Sequence, residues 1–241
     1  MMRKVKMYTG MRAAGAILIV TLTMRVSEPA SGEIIVLSQS ANVSATACET
    51  SGDSTSAIGP FSLSAGEFCD LSSPDPPIFD FLSGGASITM TQPTSSIFDV
   101  VGGTSASSGC CSGGSAGAVD YMLTFQLTTD TPYMFVGEVE AIAFFGSSSS
   151  ASVTLMGPGG VVHSESISSS GGPDSGGTIM FDESGILTAG TYSIAAMGSS
   201  NGGVQADFVD GDFAFTFVVP APGGLAVLCG LLVPFTRRRR S

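Results

Sequence analysis

Three aspartates in the second half of the chain have side chains suited to binding a metal ion. Asp207, Asp210 and Asp212 lie within the stretch DFVDGDF, and carboxylate oxygens are the ligands that Ca²⁺ takes. The spacing differs from that of an EF-hand loop. Asp-Gly between two alternating runs also predicts a hairpin turn. We therefore expect a turn here that is also a candidate Ca²⁺ site, and we predict no other cofactor.

Two other patterns are typical of hydrolases. Ser115 lies in GGSAG, which matches the G-x-S-x-G pattern, but that motif needs a strand-turn-helix context and a histidine base. The chain has one histidine, His163, which we expect on a strand facing solvent. Glu138 and Glu140 share one face of a predicted strand, as a glycosidase pair would. The absence of Trp argues against a sugar-processing cleft. We therefore predict a solvated strand face and no enzymatic activity.

Four cysteines belong to the central part of the chain, and a fifth, Cys229, lies in the C-terminal apolar run. An even number in an oxidising compartment predicts two disulfides. The sequence leaves three connectivities open, among them a vicinal bridge within the doublet. With one histidine and no C-x-x-C spacing, a cysteine metal site is not expected. The four are Cys48, Cys69, Cys110 and Cys111.

Charge is distributed very unevenly along the chain. All nine Lys and Arg residues lie before residue 26 or after residue 236, whereas nineteen of the twenty acidic residues lie between residues 33 and 219. Nucleic-acid binding depends on Lys and Arg contacts to phosphate, so this class is excluded for the central body. Anionic membrane surfaces should repel the body for the same reason.

Hydrophobic periodicity predicts the elements that must position these residues. Gly and Ser are abundant throughout the body, which disfavours helices. Apolar residues alternate with period two in VDYMLTFQL, DFAFTFV, ASITMT, SVTL and TYSIAA. We therefore expect an all-β antiparallel β-sandwich or jelly roll of roughly eight to eleven strands over residues 33–218. The Gly/Ser-rich tracts 102–117 and 166–177 are predicted to be loops.

The N-terminus has the pattern of a secretory signal. A basic segment with Arg3, Lys4 and Lys6 precedes a twelve-residue apolar run, and PASG then offers small residues for cleavage before Glu33. Residues 1–32 are therefore predicted to be a signal peptide with a helical core, and Met11 is an alternative start. A permanent anchor is the alternative interpretation, although the run is short for a membrane span.

The C-terminus, residues 219–241, ends in a short apolar run followed by Arg237, Arg238, Arg239 and Arg240. Residues 223–235 are apolar and marginal in length for a stable span, so we expect a short hydrophobic helix. The arginines favour a cytoplasmic location for the end of the run, which leaves the body outside. An ordinary C-terminal anchor is the alternative interpretation. The run is preceded by Pro220, Ala221 and Pro222.

This order of Pro-x-Pro, apolar run and Arg block resembles the PEP-CTERM sorting signal of Gram-negative bacteria. Ala221 replaces the glutamate that is usual in that family. The N-terminal signal predicts export by Sec-type machinery and signal peptidase. The resemblance implies processing by an exosortase-like membrane enzyme and residence at the cell surface or in an extracellular polysaccharide matrix. We therefore expect a non-enzymatic, surface-sorted protein. An extracellular module that binds carbohydrate, ice or Ca²⁺ is the alternative, and a secreted hydrolase is a third class.

Overall fold

The computed structural model describes residues 34–71, 73–74, 77–78, 81–109, 114–144, 146–172, 175–203 and 208–220. Strands account for 83% of the structure, and the described residues contain no helix. In particular, no helix suited to crossing a membrane occurs among them. The predicted all-β class is thus confirmed, whereas the predicted helices of the signal peptide and of the C-terminal run lie outside the described residues.

Fourteen strands are present in the described residues, more than the eight to eleven expected from the alternating runs. They are β1 (Ile34–Thr46), β2 (Thr50–Thr55), β3 (Phe61–Asp70), β4 (Ser73–Pro74), β5 (Pro77–Ile78), β6 (Phe81–Thr94), β7 (Ile97–Ser108), β8 (Ser115–Leu127), β9 (Thr131–Ala143), β10 (Ser148–Gly157), β11 (Gly160–Ser170), β12 (Ser175–Leu187), β13 (Gly190–Gly202) and β14 (Val209–Val218).

Twelve of these strands form two six-stranded antiparallel sheets packed face to face. Sheet A has the order β11-β10-β13-β8-β1-β2, and sheet B has the order β12-β9-β14-β7-β6-β3. The last eight strands pair as a nest: β10 with β11, β9 with β12, β8 with β13, and β7 with β14. Successive pairs of the nest alternate between the two sheets, so a long antiparallel ribbon is wrapped into a sandwich. The predicted two-sheet sandwich is confirmed.

Aromatic rings fill the wide part of the core. Phe217 lies 5.2 Å from Phe125 and 5.7 Å from Phe135 between ring centroids, and Phe125 stacks on Tyr192 at 5.7 Å. All four side chains are buried. Their strands place them inward by simple alternation, since every second residue of a strand faces the same side. The alternating runs of the sequence therefore identify this part of the core correctly.

The two sheets approach more closely at the other end of the core, where glycine replaces the large side chains. A Cβ atom built on Gly117 in sheet A would lie 2.1 Å from the carbonyl oxygen of Gly85 in sheet B. One built on Gly211 in sheet B would lie 2.4 Å from the carbonyl oxygen of Ser199 in sheet A. Any side chain at these positions would collide with backbone, so the close packing requires glycine.

Serine hydroxyls link the sheets across this narrow part. Ser115 Oγ donates to the carbonyl of Ser107 at 2.9 Å, and Ser149 Oγ donates to the carbonyl of Ile142 at 3.0 Å. Ser169 Oγ donates in the same way to the carbonyl of Ser175 at 2.7 Å. Each bond joins sheet A to sheet B. Buried hydroxyls are tolerated when they are hydrogen-bonded, so Gly and Ser here build a thin polar core.

Three expectations from the sequence are corrected by this arrangement. Much of the tracts 102–117 and 166–177, predicted to be loops, belongs to β7, β8, β11 and β12. The strand count was too low for the same reason, because Gly/Ser strands lack an apolar alternation. Asp210 and Gly211 form no hairpin turn: they lie inside β14 and pair with both β7 and β9.

The described chain begins and stops at the same end of the sandwich, which we call the exit end. Ile34 pairs with Leu127, the last residue of β8, and the β8–β9 turn follows directly. Val218 pairs with Met134 near the start of β9, and the Val219 N–H donates to the Ser96 carbonyl. The opposite end, called the far end, carries the narrow core and the disulfide.

One disulfide, Cys48–Cys69, joins the segment after β1 in sheet A to β3 in sheet B, with a Cα–Cα distance of 5.6 Å. This excludes the connectivities that pair Cys48 and Cys69 separately with the doublet. It agrees with the connectivity that leaves Cys110 and Cys111 to each other. Those two residues lie outside the described part, so the second predicted disulfide stays a prediction.

Candidate functional site

The outer face of sheet B brings together carboxylates that are far apart in the sequence. Glu138 and Glu140 on β9 face outward, as predicted, because Val139 between them is buried in the core. Asp212 on β14 faces the same side, next to the buried Phe213. The register places Asp212 directly opposite Glu140. Alternation predicts the outward direction of each side chain, but only strand pairing brings them together.

A shallow groove of about 410 Å³ runs over these residues. Its floor is low because Gly103 has no side chain, and a Cβ there would lie 2.7 Å from Asp212 Oδ1. The same oxygen accepts the backbone N–H of Thr104 at 3.3 Å. Glu140 Oε2 accepts the Thr178 hydroxyl at 3.3 Å. The lining residues include Ser87, Thr89, Val101, Glu138, Glu140 and Asp212.

Directly opposed carboxylates repel each other, and residues 33–219 contain no Lys or Arg to neutralise them. The groove is therefore suited to cations or to hydrogen-bond donors. Of the three predicted Ca²⁺ ligands, Asp210 is buried, Asp212 is half-buried, and Asp207 lies outside the described residues. Within the described ranges, no three His, Cys, Asp or Glu side chains are arranged to hold a metal ion. The Ca²⁺ site stays a prediction.

Ser115 is placed unsuitably for nucleophilic catalysis. It is fully buried at the start of β8, and its hydroxyl is used in the cross-sheet bond to Ser107. Ser115 pairs with Gly202 of β13. His163 pairs with Leu155 of β10, and Leu155 pairs in turn with Ile194 of β13. The two β13 positions, Gly202 and Ile194, are eight residues apart. Eight residues along a strand correspond to about 26 Å. The two residues of the hydrolase hypothesis are therefore far apart.

The prediction that His163 faces solvent is wrong. Its side chain is buried between the sheets, with ring centroids 5.8 Å from Phe135 and 5.0 Å from Phe181. Nδ1 lies 3.7 Å from Glu183 Oε1, and Nε2 has no hydrogen-bond partner. The residue occupies an edge of the aromatic core, so tertiary packing overrides its polarity. Periodicity alone gives no signal for this, because VVHSES lacks a clear alternation.

Three tyrosines, Tyr121, Tyr133 and Tyr192, are buried in the core and differ in their surroundings. Burial raises the pKa of Tyr121, whose hydroxyl has no partner. Burial also raises the pKa of Tyr133, with the nearby Glu183 carboxylate and Tyr192 as smaller causes. Tyr192 instead donates its hydroxyl to the Thr188 carbonyl at 2.8 Å. All three tyrosines belong to the hydrophobic core cluster.

The predicted sorting motif begins at the edge of the described structure. Pro220 is the last described residue and follows the buried Val219 at the exit end. Ala221, Pro222 and Arg237–Arg240 lie outside the described residues, as does the predicted signal peptide. The motif therefore stays a prediction from the sequence.

Comparisons with known proteins give no family. No family model matches the chain, and no curated protein does. Among solved structures, the chain is similar to a chain of the infectious bursal disease virus Gx strain, with 11% identity over 78% of this chain and a TM-score of 0.27. It spans 58% of the length of that chain. A likeness this low carries no argument about function.

Proposed function

We propose that this protein is a non-enzymatic, exported protein sorted to the bacterial cell surface or extracellular matrix by its C-terminal tail. The observation that carries the proposal is the position of the exit end. Ile34 and Pro220 leave the sandwich at the same end, which supports the proposal because the two predicted terminal signals would then adjoin one end of the body. The nested strand pairs support the jelly-roll form of the predicted sandwich.

The side chains support a passive body. Ser115 and His163, the nucleophile and base of the G-x-S-x-G hypothesis, are buried in separate parts of the core. The tail then provides sorting in three steps. The apolar run enters the membrane, the arginines delay its complete export, and the Pro220-Ala221-Pro222 segment is held at the outer face for an exosortase-like enzyme.

Fractionation of native cells tests this proposal. We compare the full chain with one that stops after Pro220 and with one in which Arg237 to Arg240 are replaced by Ser. The full chain should fractionate with the envelope or matrix, and the truncated chain should appear in the medium. The arginine variant should escape unprocessed, since nothing retains it in the membrane. Envelope retention of the truncated chain would contradict the proposal.

A second candidate function is a binding module, and the groove over Glu140 and Asp212 favours it. The exposed apolar side chains of Val101 and Met180 flank the carboxylates. Such a mixed surface suits a cation or the hydroxyl groups of a polysaccharide. If Ca²⁺ binds specifically in this groove, it should raise the thermal midpoint more than Mg²⁺ at equal ionic strength, and Asp212→Asn, which removes a carboxylate that lines the groove, should narrow that difference. If Ca²⁺ and Mg²⁺ raise the thermal midpoint equally, the ions act only by screening the carboxylate charges, which contradicts a specific Ca²⁺ site.

A further inference from the structure

We propose that the exit end rests on the surface of a lipid bilayer through a fringe of exposed aliphatic side chains. This inference depends on the proposed function and concerns the chain before its tail is removed, because the uncleaved tail must first bring the body to a membrane. The fringe is defined by Ile35, Val161, Val162 and Ile186. Their exposed fractions are 39%, 64%, 41% and 72%.

The fringe side chains lie near the turns and chain ends of the exit end. Ile186 pairs with Pro132, one residue from the start of β9, and Val161 is the second residue of β11, just after the β10–β11 turn. Both line one groove of about 350 Å³ between that turn and the end of β12. Ile35 pairs with Gln126 near the end of β8. The fringe is therefore distributed across both sheets at one end.

Charge distinguishes the exit end from the far end. Asp130 is the one ionisable side chain in the segments 34–37, 92–97, 127–132, 157–162, 186–191 and 218–220. Its Oδ1 accepts the Ala189 N–H at 2.9 Å, so the carboxylate is already hydrogen-bonded. The described part of the far end carries more carboxylates, among them Glu49, Glu67, Asp70, Asp210, Asp212 and Glu140, which lies opposite Asp212. The end of the acidic body from which the tail leaves is therefore the end with the fewest charged side chains.

The length of the tail keeps the fringe near the membrane. The apolar run begins at Gly223, three residues after Pro220. Three residues span at most about 10 Å. Interfacial segments bury their apolar side chains about 5–10 Å into the boundary between headgroups and acyl chains. The fringe is therefore within reach of that boundary whenever the run is in the bilayer.

Two other occupants of the fringe are disfavoured. A second copy of this chain would bring two bodies of formal charge −19 together without any Lys or Arg between them. The apolar tail could fold back over the fringe, but it would then be withdrawn from the membrane. A bilayer of zwitterionic lipid can bury the aliphatic side chains of the fringe without repelling the acidic body, whereas anionic lipid should weaken the contact.

The absence of tryptophan allows a direct test, because an introduced tryptophan is a unique reporter. Full-length chain carrying Ile186→Trp is reconstituted into phosphatidylcholine vesicles whose acyl chains carry bromine, a contact quencher. The control is Met180→Trp, 78% exposed and six residues away on the same strand, or about 20 Å. Val161→Trp provides a second reporter if Ile186→Trp fails to fold.

We expect brominated lipid to reduce emission at least about twofold in Ile186→Trp and Val161→Trp, at the depth typical of interfacial side chains. Met180→Trp should be unaffected, and adding phosphatidylglycerol should reduce the quenching. Equal quenching of Ile186→Trp and Met180→Trp would overturn the inference. A blue-shifted emission of Ile186→Trp without quenching would also overturn it, because the tail would then cover the fringe in place of lipid. Flotation separates the two proposals. A chain that floats with vesicles but shows no quenching refutes only the fringe, whereas one that does not float refutes the membrane role of the tail as well.

Discussion

Asp212 on β14 lies directly opposite Glu140 on β9, on the outer face of sheet B, with both side chains on the same groove. Directly opposed residues of neighbouring strands have Cβ atoms about 4.5–5.5 Å apart, a distance at which like charges destabilise a sheet. The body contains no Lys or Arg that could neutralise either carboxylate. The repulsion within the pair therefore lowers stability, and a cation from the solution or a ligand would reduce that repulsion.

Glu140→Gln should raise the free energy of unfolding by about 0.5 kcal/mol at low ionic strength, because it removes one charge of the pair. The Gln side chain keeps an oxygen that can accept the Thr178 hydroxyl. Urea unfolding at low and high salt measures the effect, which should shrink as salt screens the charges. Glu165→Gln is the control, since Glu165 pairs with Val153. Equal stabilisation by both variants would show that only the overall charge matters.

Tyr121→Phe should stabilise the protein by about 1 kcal/mol, because it removes a buried hydroxyl that has no partner. Tyr192→Phe should destabilise it by a similar amount, because that hydroxyl is hydrogen-bonded to Thr188. Thermal unfolding of both variants at pH 7 provides the comparison. A loss of stability in Tyr121→Phe would mean that its hydroxyl is satisfied, which contradicts the described packing.

Alkaline pH should increase the difference in the free energy of unfolding between Tyr121→Phe and the parent protein. Burial raises the folded-state pKa of Tyr121 above the ordinary value of 10.0. The folded state therefore keeps this phenol neutral where the unfolded chain ionises it, so stability present below pH 10 is lost as pH rises beyond that value. The variant should lose less stability than the parent in this range, as followed by urea unfolding. Parallel losses would exclude Tyr121 as a cause.

Gly117→Ala should lower the free energy of unfolding by about 1–3 kcal/mol, because the added carbon would meet the Gly85 carbonyl oxygen at the narrow part of the core. Gly66→Ala is the matched control on a strand, since a Cβ atom added there would have no other atom within 4 Å. Urea unfolding compares the two variants. Equal stability would contradict the close approach of the sheets.

The aromatic half of this fold is predictable from the sequence, and the narrow half is not. VDYMLTFQL and DFAFTFV place Phe125 and Phe217 inward because alternation is a local property of a strand. The strands around Gly117 and Ser169 have no apolar alternation, and they are held by close backbone approach and cross-sheet hydroxyl bonds that depend on the partner sheet. The site follows the same rule. The outward direction of Asp212 follows from Phe213, but its position opposite Glu140 depends on strand pairing.

The Cys48–Cys69 bridge should contribute about 3 kcal/mol, since it closes a loop between residues 21 positions apart and so constrains the unfolded chain. Replacing both cysteines by Ser should lower stability by that amount.

Thiol labelling of the denatured, unreduced full chain should find only Cys229 free if Cys110 and Cys111 form the second bridge. Mapping requires a protease that cleaves at Glu, because trypsin has no site between residues 33 and 219. Labelling of the doublet would contradict the second disulfide.

The central claim is that the tail is a removable sorting signal on an exported body. The intact mass of the surface-associated protein from native cells tests it most directly, since one spectrum reports both chain ends. We predict a mature chain that begins near Glu33 and has lost the apolar run and Arg237–Arg240, and a variant with Pro220→Ala and Pro222→Ala should accumulate uncleaved in the membrane. A dominant surface species that still ends in Ser241 would contradict the account and identify the tail as an ordinary anchor.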